Sequence, residues 1–87
     1  MSHVDDLIRE FGRETDHGMR CWLLELIGET RSPEAFGLLK SQLWTADEVL
    51  SSWAARGLEL LGTKEARRLL WQRRQNEAGG PVPGVGP

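Results

Sequence analysis

The stretch SPEAFGLL, from Ser32 to Leu39, has a counterpart 31 residues later in TKEARRLL, from Thr63 to Leu70, with Glu-Ala and Leu-Leu at matching places. The same offset runs through the chain without a gap. Val4, Ala35 and Ala66 share a column, as do Leu7, Leu38 and Leu69, and Ile8, Leu39 and Leu70. Between these columns Asp16 aligns with Asp47, Met19 with Leu50, Trp22 with Trp53, and Ile27 with Leu58. A fixed period of about 20–50 residues marks repeated supersecondary units, each unable to bury its apolar face alone, so that stacked neighbours must complete the core. One register running through the whole chain, with a tryptophan matched to a tryptophan, therefore predicts two and a half copies of a single unit.

Each unit reads as a pair of helices. Val4, Leu7, Ile8 and Phe11 follow three-four spacing, and so do Met19, Trp22, Leu23, Leu26 and Ile27. Ala35, Leu38, Leu39 and Leu43 form a third apolar stripe. Leu50, Trp53, Ala54, Gly57, Leu58 and Leu61 form a fourth, and Ala66, Leu69 and Leu70 a fifth. No segment alternates with the period of two that a half-buried strand requires, so no sheet is expected. Ser2, Asp16, Ser32, Thr45 and Thr63 stand where a side-chain oxygen can accept from the first free N–H groups of a helix. Pro33 suits a first helical position, and Thr45 with Glu48 has capping-box spacing. The expected helices span 3–13, 17–30, 33–44, 46–61 and 64–76, in A-B-A-B-A order with short antiparallel connections.

At 87 residues the chain suffices for one small domain, expected over 1–76, with 77–87 a disordered tail rich in Gly and Pro. Its formal charge of -2 does not favour nucleic acid or acidic lipid as the partner of the whole chain. No apolar run of about 18 residues offers a membrane span. A lone Cys21 cannot form an internal disulfide, and the opening Met-Ser-His-Val-Asp-Asp lacks the basic and apolar regions of a signal peptide. A cytoplasmic protein is expected.

With these residues in place, DHGMRCWLLELIGETRSPEAFGLL resembles the short bacterial HEAT-like repeat found in phycobilin lyases. There a helix ends in Leu/Ile-Gly, turns briefly, and gives way to Pro-Glu-Ala at the start of the next. Ile27-Gly28 and Pro33-Glu34-Ala35 match it; Leu61-Gly62 and Glu65-Ala66 match again, with Lys64 in place of the usual proline. The resemblance covers about residues 3 to 76 and implies an α/α superhelix of helical hairpins. Trp22 and Trp53 stand where the family keeps small residues, which implies wider helix spacing or a facing gap. It also implies that the B helices line a concave face, here Cys21, Leu24, Glu25 and Gly28 followed by Ser52, Ala55, Arg56 and Glu59.

A stacked array needs polar ends. The first helix has them in Asp5, Asp6, Arg9, Glu10 and Arg13, whereas the last carries Trp71 beside Leu70 with no helix following. Charge is also uneven: residues 1–48 hold five basic and ten acidic side chains, residues 49–87 six basic and three acidic. The basic excess lies in KEARRLLWQRR, Lys64 to Arg74. Trp44 and Trp71 break the repeat, their column partners being Gln75 and Lys40. The expected partner-binding residues are therefore Glu25, Trp44, Arg56, Glu59, Arg67, Arg68, Trp71 and Arg74.

Catalytic chemistry has little to build on. His17 and Cys21 share a helix face at i, i+4, but a nucleophilic pair needs a third, orienting group and a pocket, and two ligands are too few for zinc. The glycines form no phosphate loop. No catalytic residue, cofactor or metal is expected. The leading expectation is a non-enzymatic protein–protein interaction module, a small adaptor or assembly subunit that binds another protein or forms a homodimer through its C-terminal end. The alternatives are a nucleic-acid-associated protein using Arg67, Arg68, Arg73 and Arg74, and an accessory subunit of a lyase-type enzyme complex.

Overall fold

The computed structural model describes residues 3–79. Those residues are all-helical, with no strand: α1 (His3–Arg13), α2 (His17–Glu29), α3 (Ala35–Leu43), α4 (Glu48–Leu61) and α5 (Lys64–Gly79). The five expected helices are present in the expected order. α5 runs past its expected end at 76, and the rest of the expected tail, 80–87, lies outside the described residues, as does the Ser2 cap.

The repeat column of Asp16 and Asp47 does one job twice. The Met19 N–H donates to Asp16 Oδ2 at 2.8 Å, and the Val49 and Leu50 N–H groups donate to Asp47 Oδ1 at 3.0 and 3.1 Å. Thr63 Oγ1 likewise accepts from the Ala66 N–H at 3.1 Å. Two expected starts move. Asp47 takes the donors at the head of α4, so the Thr45–Glu48 capping box does not form and the helix begins at Glu48. Ser32 does not cap α3, because its hydroxyl donates to the Glu34 carboxylate instead. Tight i→i+3 bonds from Ala35 to Ser32 and from Phe36 to Pro33 then delay the helix to Ala35.

The helix ends also repeat, at Arg31 and Gly62, one period apart. Both are left-handed, with φ of 55° and 71°. Glycine enters that region without penalty and arginine does not. The pairing of Ile27-Gly28 with Leu61-Gly62 as two helix ends is thereby corrected. Gly62 terminates α4, but Gly28 remains inside α2, and the turn that matches Gly62 falls on Arg31.

Gly28 has a different task. A Cβ built on it would lie 2.5 Å from Gly57 Cα and 2.7 Å from Gly57 C; one built on Gly57 would lie 2.7 Å from the Leu24 carbonyl oxygen and 2.8 Å from Leu39 Cδ2. α2 and α4 therefore cross backbone to backbone. α1 packs on α2 and α3 on α4 as hairpins, α1 touches α3, and α3 touches α5. One core results, centred on Leu24, Ile27, Leu39, Leu43, Ala54 and Leu58, with Val4, Phe11, Ala66 and Leu69 contributed from α1 and α5.

This packing overturns two placements. Cys21, Leu24 and Gly28, expected on an open concave face, are buried in the seam between α2 and α4. Met19 and Trp22, expected in the core, are 40% and 51% exposed. The repeat explains both. Leu50, Trp53 and Gly57 share the face of α4 that meets α2. Their counterparts Met19 and Trp22, one period earlier, have no helix over them among the described residues, whereas Leu26 still packs against the core. An apolar stripe marks a face as able to be covered; a neighbour must exist to cover it. No helix among the described residues is long and apolar enough to cross a membrane.

Candidate functional site

α5 starts at the Thr63 cap, directly after the left-handed turn at Gly62. Arg67 Nη1 donates to the Gly62 carbonyl oxygen at 2.9 Å, which ties the first turn of α5 to the end of α4. Ala66 and Leu69 enter the core and Leu70 packs against its edge, leaving Trp71 on the outer face, 58% exposed. Farther along, Arg73 Nε donates to Ser51 Oγ at 3.3 Å, and the buried Ser51 hydroxyl donates to the Leu43 carbonyl oxygen at 2.6 Å. That relay joins α5 to α4 and to the free C-terminal carbonyls of α3. Arg73 is half-buried in it, so it is not an exposed surface cation like Arg67, Arg68 and Arg74.

Two clefts flank Trp71. One, of about 580 Å³, is lined by Trp44, Trp71, Gln72, Gln75 and Asn76. The other, of about 400 Å³, is lined by Glu59, Gly62, Arg67, Leu70, Trp71 and Arg74. Five of the eight expected partner-binding residues thus gather at one edge: Trp44, Glu59, Arg67, Trp71 and Arg74. The other three lie elsewhere. Arg56 Nε pairs with Glu25 Oε2 at 3.2 Å across the seam between α2 and α4, with the carboxylate mostly covered and the guanidinium outside. Arg56 also borders a small hollow with Ser52 and Trp53. Arg68 lies beside Lys64 and Glu65 in a separate hollow.

Leu70, which the sequence leaves uncovered beside Trp71, is not among the expected partner-binding residues. Sequence reasoning also passed over Gln72, Gln75 and Asn76, which are unremarkable polar positions on a helix. A signal existed for Gln75: it is the column partner of Trp44, and stacking of α3 beside α5 brings the two into one cleft.

The third group that the His17–Cys21 pair lacked in one helix is supplied by the next unit. His17 Nε2 lies 2.8 Å from Asp47 Oδ2, and His17 Nδ1 lies 3.9 Å from Cys21 Sγ. The order Asp–His–Cys is that of an activated nucleophile, but attack requires an accessible thiolate. Cys21 is buried. Burial pushes its thiol pKa up, the nearby Asp47 charge pushes it further, and Arg20 opposes both. The Asp47 carboxyl is held below its ordinary value, first by the Leu50 N–H and then by His17. The line therefore acts as a polar clasp between the starts of α2 and α4. Among the described residues no group of three or more His, Cys, Asp or Glu side chains is placed to hold a metal ion. Comparison with family models, with curated proteins and with solved structures returns no match for this chain.

Proposed function

We propose that the chain is a bacterial, cytoplasmic HEAT-like repeat module that binds another protein and performs no catalysis of its own, serving as a small adaptor or assembly subunit. One observation carries this reading: the large exposed aromatic Trp71 sits between two clefts, with Trp44 on one side and a mixed rim of Glu59, Arg67 and Arg74 on the other. Aromatic and arginine side chains in partly desolvated hollows are the groups that dominate binding energy at protein interfaces. A charged rim adds orientation and rejects wrong partners.

The test is capture from native lysate with the tagged full chain and with its Trp71→Ala and Trp22→Ala variants, followed by titration of the purified pair at several salt concentrations. The expected result is a protein partner lost with Trp71→Ala, retained with Trp22→Ala, and bound with a shallow salt dependence. Equal capture by all three proteins refutes the reading. A nucleic acid as the retained species, with affinity falling steeply in salt as released counterions require, refutes it in favour of a nucleic-acid role.

A further inference from the structure

The cleft beside Leu70 lies where the repeat calls for one more helix. In the second hairpin α4 covers α3, with Leu39 against Gly57 and Ser51 bonded to the Leu43 carbonyl. One period later the corresponding positions of α5 are Leu70 for Leu39, Arg74 for Leu43 and Arg67 for Phe36, and these line the cleft. The same holds for the B layer. α4 approaches α2 at Gly28, whose counterpart on α4 is Glu59, again a cleft residue. Side chains from both walls of the missing position therefore converge on one hollow, and Leu70 is only half-buried where Leu39 is fully buried.

We propose that this cleft seats a sixth helix supplied by a different protein: an acidic amphipathic helix that lies antiparallel to α5 and completes the third hairpin. The proposal rests on the protein-interaction reading above. Charge selects the occupant. α5 presents Arg67 and Arg74 at the two ends of the cleft. An α5 helix from a second copy, turned antiparallel about Trp71, would set arginines against arginines, and like charges facing each other oppose association. Carboxylates at both ends of the incoming helix answer Arg67 and Arg74. A small residue belongs opposite Leu70, as Gly57 is opposite Leu39.

The probe is a fluorescently labelled, end-capped peptide with the sequence of residues 46–62, this chain's own B helix. It carries Asp47 and Glu48 in its first turn and Leu50, Ala54, Gly57, Leu58 and Leu61 along its apolar stripe. Antiparallel packing brings that acidic turn to the Arg74 end, as Ser51 lies by Leu43. Fluorescence anisotropy with the full chain is expected to show saturable binding. Trp71→Ala and Arg74→Glu should each weaken it by about tenfold, as for anchor and charge-paired positions. Trp22→Ala should leave it unchanged, as should any substitution outside the cleft that keeps the helical circular dichroism of the parent. A peptide with Asp47→Lys and Glu48→Lys should lose a similar factor.

No saturable binding, or binding insensitive to both cleft variants, overturns the proposal. So does a dimer mass of the free chain that Trp71→Ala abolishes, which assigns the cleft to a second copy. Displacement of the peptide by duplex DNA with a steep salt dependence also overturns it. If the peptide fails while lysate capture still requires Trp71, the helix seat falls and the interaction reading stands; if capture fails as well, both fall.

Discussion

Gly28 and Gly37 are both helical glycines, yet replacing each by alanine should move stability in opposite directions. At Gly37, on the exposed side of α3, an added Cβ meets nothing within 4 Å. Alanine there recovers the helix-propensity difference of about 1 kcal/mol. At Gly28 the same methyl would stand 2.5 Å from Gly57 Cα, on backbone that cannot rotate away. Carbon atoms rest at roughly 3.5–4.0 Å, so α2 and α4 must part by about 1 Å at their crossing, and a gap of that size forfeits a quarter to a half of each dispersion well along the seam. Leu24, Ile27, Ala54 and Leu58 lose contacts together. Overpacking against a rigid neighbour costs about 3 kcal/mol, at the upper end of the usual range. After the propensity gain, a net loss of about 2 kcal/mol remains. At about 4–8 °C per kcal/mol for a domain of this size, Gly37→Ala should melt about 4–8 °C above the parent and Gly28→Ala about 8–16 °C below it. Thermal and urea unfolding followed by far-ultraviolet circular dichroism measure both. A Gly28→Ala protein as stable as the parent would refute the backbone-to-backbone crossing.

Three further outcomes follow from the local geometry. At the paired left-handed turns Gly62→Ala should lower stability by about 1 kcal/mol and Arg31→Gly should raise it by a similar or smaller amount, read from urea midpoints. Because the fold lowers the Asp47 pKa, the stabilisation from its charge is complete above the ordinary aspartate value of 3.8 and is lost as pH falls through the lower folded value. The melting temperature of the parent should therefore drop across that acid window, and Asp47→Asn, which keeps an acceptor for the α4 donors but loses the charge, should show less of that drop. Cys21 should resist iodoacetamide in the native protein at neutral pH and become alkylated in step with urea unfolding, since burial and a raised pKa both withhold the thiolate. Rapid alkylation under native conditions, monitored by mass spectrometry, would contradict that placement.

Much of the fold was legible because the signals for it are local. Three-four spacing placed all five helices, and the side-chain oxygens of Asp16 and Thr63 marked their starts. The 31-residue register put Asp16 and Asp47 in one column, and Val4, Ala35 and Ala66 in another that is buried throughout, but the expected cap of α4 was Thr45 and not Asp47. The boundaries that moved did so where two local groups competed. Asp47 outbid Thr45 for the α4 donors, and the Ser32 hydroxyl turned to Glu34. For the candidate site, the sequence picked out Trp44 and Trp71 by their departure from the repeat, Arg67 and Arg74 by their charge, and Glu59 through the concave face that the family resemblance implies, and these five do meet at one edge. It also gathered Glu25, Arg56 and Arg68, which do not join them.

By itself, the sequence determined helix content, helix order and the repeat, because backbone propensity, capping and apolar periodicity act within a turn or two of the chain. The tertiary structure alone decided which side of each helix is covered. Leu24 and Trp22 are near neighbours on α2 with comparable apolar character, and one is sealed against α4 while the other faces outward, because burial depends on whether another helix arrives. The same condition makes Gly28 a crossing point, brings Asp47 to His17 across 30 residues, and leaves Leu70 and Trp71 beside a cleft at the open side of the third hairpin.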